Sequence, residues 1–242
     1  MMQLIRAKDY DEMCAKAAEH VIRTIKEKKA PVLGLATGKT PTGVYRKLVM
    51  DHWQNRTSYR HVTTFNLDEY VGLGSDDPTS FHYYMRENFF DHVDIPEQQI
   101  HIPNGIASNL EQECLQYECQ IEEKGGIDLQ ILGIGVNGHI GFNEPGTPFY
   151  SQTHIVKLSE STREANQSFF NSLEQVPKYA ITMGLSTIMK SREIVLLVSG
   201  KRKAPILQQL LSSEVVCEDL PATILKRHPH VTIITDQDAY SS

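Results

Sequence analysis

Short apolar runs recur along the chain, each followed by a stretch of helical spacing. The runs PVLGLA (31–36), HVTTFNL (61–67), DLQILGIG (128–135), HIVKL (154–158), YAITM (179–183), EIVLLVS (193–199) and HVTIIT (230–235) read as strands. They are nearly continuous rather than alternating, the pattern of strands covered on both faces in a parallel sheet. Helical patterns fill the intervals at 9–28, 41–52, 80–90, 110–124, 162–170, 201–211 and 222–227. In the second of these, Thr40 reads as an N-cap with Pro41 in the first turn. Strand and helix alternate to the end, which predicts an α/β fold: a doubly wound, mostly parallel sheet with helices on both faces, Rossmann-like. No repeat, low-complexity tract or long linker interrupts residues 1–242, so one domain is expected.

Sheets of this kind bind ligands at the carboxyl ends of their strands, near a reversal of strand order. The residues that follow each apolar run therefore carry the chemistry. After the first run comes GLATGKT (34–40). A Walker A loop needs four residues between its first glycine and Gly-Lys-Thr; here three stand there, Leu35, Ala36 and Thr37. What remains is a glycine turn feeding a helix N-terminus, whose free N–H groups and dipole attract anions. Thr37, Gly38, Lys39 and Thr40 suit a single phosphate monoester better than a triphosphate. The alternative is a tight turn in which Thr40 is only a cap.

The second run ends in Asp68 and Glu69. Period-2 alternation sends the two carboxylates to opposite sides, so at most one faces a ligand. An acid in a partly dry cleft has a raised pKa and can serve as base towards a carbon acid. The alternative is two solvated loop acids. Asp76 and Asp77, ahead of Pro78, read as turn residues. After the third run, GIGVNGHIGFNEPG (133–146) gathers Asn137, His139, Asn143 and Glu144 among glycines. His139 can move protons near neutral pH, with Glu144 to orient it. No further His or Cys stands at ligand spacing, so no metal is expected. Gly133, Gly135 and Gly138 also fit a dinucleotide fingerprint, but deep in the chain rather than at a first βα turn.

Composition narrows the class. The 242 residues carry a net charge of -6, without the basic surface that nucleic-acid binding requires. The four cysteines form no C-x-x-C pair and read as reduced thiols. The N-terminus has no apolar core of a signal peptide, and no run approaches the roughly 18 apolar residues of a membrane span. The expectation is a soluble, cytoplasmic protein acting on a small molecule.

Six segments in order resemble the glucosamine/galactosamine-6-phosphate isomerase family: LATGKTP (35–41), NLDEYVGL (66–73), GIGVNGHIGFNEPG, TREAN (162–166), VPKYAITMG (176–184) and SGKRKA (199–204). The likeness spans nearly the whole chain. It implies conversion of D-glucosamine 6-phosphate and water into D-fructose 6-phosphate and ammonium, without metal or organic cofactor. It also implies a place in amino-sugar catabolism and N-acetylglucosamine utilisation, and the class of a hydrolase and deaminase. By resemblance Asp68 is the base between C2 and C1. His139 is the proton shuttle of ring opening, Glu144 and Asn137 are its partners, and Lys203 is a phosphate ligand.

The chain departs from the family in five places. Many members have Asp where Asn137 stands, which shifts electrostatic work to Glu144. Lys39 intrudes into a Thr-Gly-Gly-Thr or Thr-Gly-Ser-Thr pattern, while Ser168 replaces a phosphate-binding arginine; the expectation is that Lys39 supplies the lost charge. Phe81 stands where many members have Tyr. Only seven residues follow the last strand, whereas hexameric, allosteric members carry a longer extension, so monomer or homo-oligomer stays undecided. Three other readings are a 6-phosphogluconolactonase, which lacks the Asn143-Glu144-Pro145 pattern, a galactosamine 6-phosphate enzyme, and a sugar-phosphate-binding regulator without turnover. The spacing in GLATGKT counts against an ATPase.

Overall fold

Asp9 stops the first strand and starts the first helix: its carboxylate accepts the Glu12 N–H at 2.8 Å, a cap that contributes about 1 kcal/mol. Residues 2–240 are described by a computed structural model. In chain order its strands and helices begin with β1 (Gln3–Arg6), α1 (Tyr10–Glu27), β2 (Val32–Leu35), α2 (Lys39–Asn55), β3 (Thr63–Asn66), β4 (Asp68–Tyr70), α3 (Phe81–Asn88) and β5 (Ile100–His101). Then follow α4 (Leu110–Glu123), β6 (Leu129–Gly133), β7 (His154–Lys157), α5 (Glu160–Asn166), β8 (Tyr179–Thr182) and α6 (Leu185–Met189). The chain continues with β9 (Glu193–Val198), α7 (Ala204–Ser212), β10 (Val231–Thr235) and α8 (Gln237–Tyr240).

Seven strands form a parallel sheet in the order β1-β10-β9-β6-β2-β3-β5. From β2 the chain winds outward through β3 and β5, then returns to the other side of β2 and continues through β6, β9 and β10. The order therefore reverses between β2 and β6, where the doubly wound topology opens a crevice. The central strands are buried along their length, which explains their unbroken apolar runs. Helix α1 covers the sheet with Met13, Cys14, Ala17, Ala18, Val21 and Ile25, a three-and-four spacing that leaves its charges outward.

Two runs expected in this sheet lie elsewhere. Residues 154–157 and 179–182 form β7 and β8, which pair antiparallel with β4 in a separate three-stranded sheet ordered β4-β8-β7. Their apolar character reflects packing against a second cluster of Tyr70, Phe81, Phe142, Leu158 and Ala180, not a place in a doubly covered sheet. The short strands β1, β4 and β5 lack a long apolar run and escape the sequence pattern; their partners define them. Helix α2 begins at Lys39 with Gly38 in the cap position, at φ 107, so Thr40 lies inside the helix and does not cap it. Residues 221–227 wind as a 3-10 helix rather than an α-helix. No helix of the described residues is long and apolar enough to cross a membrane.

Candidate active site

Four neighbouring strands of the parallel sheet, β9, β6, β2 and β3, point their carboxyl ends the same way. The loops that leave them carry the sequence candidates: Gly200–Lys203 after β9, Ile134–Glu144 after β6, Ala36–Gly38 after β2, and Leu67–Asp68 after β3.

The link from β2 to α2 is three residues long, Ala36, Thr37 and Gly38, too short to wrap a triphosphate. Gly38 adopts a positive φ that other residues reach only with strain. Its carbonyl accepts the hydroxyls of Thr42 at 2.9 Å and Tyr84 at 2.7 Å, which fixes the turn against α3. No side chain caps the helix, so the first-turn amides beside Thr37, Lys39 and Thr40 point outward. Lys39 is exposed, and its ammonium lies 5.6 Å from the centre of the Phe169 ring. Ser168 precedes that ring, so Lys39 and Ser168 occupy neighbouring segments.

Asp68 starts β4 opposite Thr182 of β8. It is buried, and burial first, then the adjacent Glu69 charge, push its carboxyl up to about 8. Glu69 turns the other way, as the pleat requires, and accepts the backbone N–H groups of Tyr70, Phe81 and His82. Neither acid is a solvated loop residue. Gly141 brings the third loop against this strand: a Cβ built there would lie 3.0 Å from Thr182 Oγ1 and 3.8 Å from Asp68 Oδ2.

That loop is stapled to β8. The Phe142 N–H donates to Thr182 Oγ1 at 3.0 Å, and Asn143 Nδ2 donates to the carbonyls of Ile140 and Met183 at 2.9 Å each. Gly135 leaves room for the His139 ring, which a Cβ would strike at 2.2 Å. His139 Nδ1 is buried without a hydrogen-bond partner; at 3.7 Å from Glu144 Oε2 it is within ion-pair range but not bonded. Glu144 accepts Asn137 Nδ2 at 2.8 Å, Ser159 Oγ at 3.0 Å and Thr162 Oγ1 at 2.5 Å. Burial works to raise its carboxyl, but the nearby His139 imidazole first, then Thr162 and Asn137, outweigh it and hold Glu144 at about 2. Asn137 also accepts the His139 N–H at 3.3 Å. Lys203 is half-buried, its pKa lowered by burial, and its Nζ donates to the Ile134 carbonyl at 2.6 Å. It thus anchors the start of the same loop.

The sequence candidates are therefore brought to one edge. Reading the sequence missed Ser159 and Thr162, the hydroxyls that hold Glu144, and Thr182, which holds the loop. TREAN flagged Thr162 and VPKYAITMG flagged Thr182, each without a task; Ser159 carries no local signal. Phe81 packs with its ring centre 4.6 Å from that of Tyr70 and near Phe142, inside the second apolar cluster.

A family model described as glucosamine-6-phosphate isomerases/6-phosphogluconolactonase matches residues 7–234. The chain belongs to this family. A glucosamine-6-phosphate deaminase of Geobacillus sp. (strain WCH70) is 58% identical over 240 residues, 99% of this chain and 95% of that protein. Glucosamine-6-phosphate deaminase 1 of Bacillus subtilis (strain 168) is 50% identical, covering 99% of each. A solved structure of a monomeric glucosamine-6-phosphate deaminase superposes with TM-score 0.98 at 50% identity, covering 99% of both chains. The 6-phosphogluconolactonase of Thermotoga maritima shares the fold, with TM-score 0.76 and 21% identity over 98% of this chain and 99% of that one. One expectation is corrected here. The hydrolase class gives way to an isomerase and deaminase class, since the relatives and the solved structure that share half the sequence or more are named deaminases.

Proposed function

We propose that this protein is a cytoplasmic glucosamine-6-phosphate deaminase that turns D-glucosamine 6-phosphate and water into D-fructose 6-phosphate and ammonium. The observation that carries the reading is the buried Asp68 carboxyl set beside the loop that holds His139 and Glu144. The names of its relatives agree with it.

In the mechanism, His139 moves the proton of the anomeric hydroxyl to the ring oxygen, and the C1–O5 bond breaks to give the open aldehyde. Glu144, fixed by Asn137, Ser159 and Thr162, keeps its negative charge and stabilises the imidazole when it is protonated. Asn137 holds Glu144 through its side-chain amide and the loop through the His139 backbone N–H, without adding charge. Asp68 then takes the C2 proton and returns it to C1, while a proton passes from the amino group to O1, leaving a protonated imine at C2. Water adds to that carbon and ammonium leaves. An acid held near pH 8 is well matched to moving a proton off and onto carbon. The substrate phosphate sits on the first turn of α2, with Thr37, Gly38 and Thr40 as donors and Lys39 as cation. Lys203 supplies a second cation from β9's loop. A monomer is the assembly this reading carries, after the solved relative.

The test is ammonium release from glucosamine 6-phosphate by the purified protein without added metal or nucleotide. Wild type should turn over, and Asp68→Asn should lose at least about a hundredfold in kcat, the usual scale of a general base. A folded wild type that releases no ammonium would refute the reading. Galactosamine 6-phosphate and the phosphogluconolactone, assayed in parallel, separate it from the alternatives.

A further inference from the structure

Glu69 follows the proposed base directly, is fully buried, and has no part in the steps above. A buried carboxylate is costly unless its oxygens are satisfied. Oε1 accepts Tyr70 N at 2.8 Å and Phe81 N at 3.0 Å; Oε2 accepts His82 N at 3.0 Å and His82 Nδ1 at 2.9 Å. One side chain thus ties β4 to the first turn of α3, and the His82 ring holds it from outside. By the pleat, the geometry that turns Glu69 towards α3 turns Asp68 to the opposite face. His82 is a quarter exposed and borders a surface cleft with Arg86 of α3, Glu97, His101 of β5 and Glu113 of α4. Those groups, together with Glu69, are the charges and titratable neighbours that His82 meets.

We propose that Glu69 and His82 form a positioning pair for the reaction, fixing Asp68 on the substrate side of β4 and setting the charge beside it. The inference rests on the deaminase reading for its kinetic consequence. Two adjacent carboxylates in a dry site raise each other's proton affinity. The His82 Nδ1–H donates to Glu69, draws off part of its charge, and so limits the repulsion that Asp68 feels. A protonated His82 limits it further. Both states act in the same direction, so losing the ring makes Asp68 harder to ionise.

The experiment compares wild type, His82→Ala and His82→Asn; the Asn amide can donate where Nδ1 does. The Asp68 carboxyl carbon is followed by NMR titration of protein labelled at aspartate, its signal identified by disappearance in Asp68→Asn. Kinetics on glucosamine 6-phosphate run beside it. His82→Ala should raise the Asp68 midpoint by about half to one pH unit, with kcat/KM at pH 7 falling about three- to tenfold through kcat. KM should hold, the difference should close above the midpoint, and His82→Asn should restore the wild-type curve. An unchanged midpoint in His82→Ala, or a loss equal at every pH and not recovered by His82→Asn, would leave the pair a structural tie only. If wild type gives no ammonium, the deaminase reading fails, while the titration still decides whether the pair controls Asp68.

Discussion

At the scale of the residue, Asn137, Lys39 and Ser168 show how a site can exchange groups while keeping its geometry. Asn137 donates to Glu144 and accepts from His139, contacts that need polarity but not charge. Glu144 keeps the charge, held down by the His139 imidazole first and then by the Thr162 hydroxyl and the Asn137 amide. Lys39 extends from the first turn of α2 towards the segment that contains Ser168, with Phe169 beneath its ammonium. In the proposed site, a lysine there would reach phosphate as a flexible point charge, whereas an arginine would grip it with two parallel bonds. Lys39→Gly should therefore raise KM for glucosamine 6-phosphate about tenfold, the scale of one charge-assisted hydrogen bond, with kcat little changed. Steady-state kinetics decide it, and an unchanged KM would mean that Lys39 does not compensate for Ser168. The candidates themselves were legible because their types and spacing stand in the sequence. The tasks of Ser159, Thr162 and Thr182 were not, because a hydroxyl acquires a role only from what folds against it.

At the scale of the element, the antiparallel sheet is what assembles the site. β4 carries Asp68, β8 pairs with it, and Thr182 and the Met183 carbonyl at the end of β8 clasp the loop of His139 and Glu144. Gly141 is the point of closest approach, at φ 56. Gly141→Ala adds left-handed strain of about 1 kcal/mol and presses on Thr182 and Asn143 beside Asp68. Gly146 also has a positive φ, but a Cβ there meets nothing within 4 Å. Both alanine variants should lose a few degrees of melting temperature, roughly 2–4 °C per kcal/mol, yet only Gly141→Ala should lose kcat. Equal kcat values in the two variants would refute the idea that this contact sets the reacting geometry. The sequence pattern placed residues 154–158 and 179–183 in the wrong sheet. An apolar run records that a strand is covered, and both sheets cover theirs.

At the scale of the whole molecule, the two site acids bias stability in opposite directions. Asp68 has its carboxyl raised from 3.8 to about 8. Between those values the folded chain binds more protons than the unfolded one, so this group's contribution falls as pH rises. Glu144 is lowered from 4.5 to about 2; its contribution is present above 4.5 and is lost as pH falls towards 2. At pH 8, Asp68→Asn should gain on the order of 1–3 kcal/mol and Glu144→Gln should lose about 2 kcal/mol. At pH 4 the Asp68→Asn gain should vanish. Denaturant unfolding at the two pH values checks the signs, and a gain for Asp68→Asn that is the same at both would contradict the burial argument. In the proposed mechanism, this cost at Asp68 is the common trade of stability for activity. The sequence by itself determined the alternation of strand and helix, the doubly wound class, the failure of the triphosphate loop and the identity of the candidate acids and histidine. These depend on local periodicity and spacing, which any covered strand or turn must display. Only the tertiary structure decided which strands share a sheet, which face each acid takes, and which hydroxyls hold Glu144. Hydrogen-bond partners and burial are properties of segments far apart in the chain, and no local pattern encodes where those segments meet.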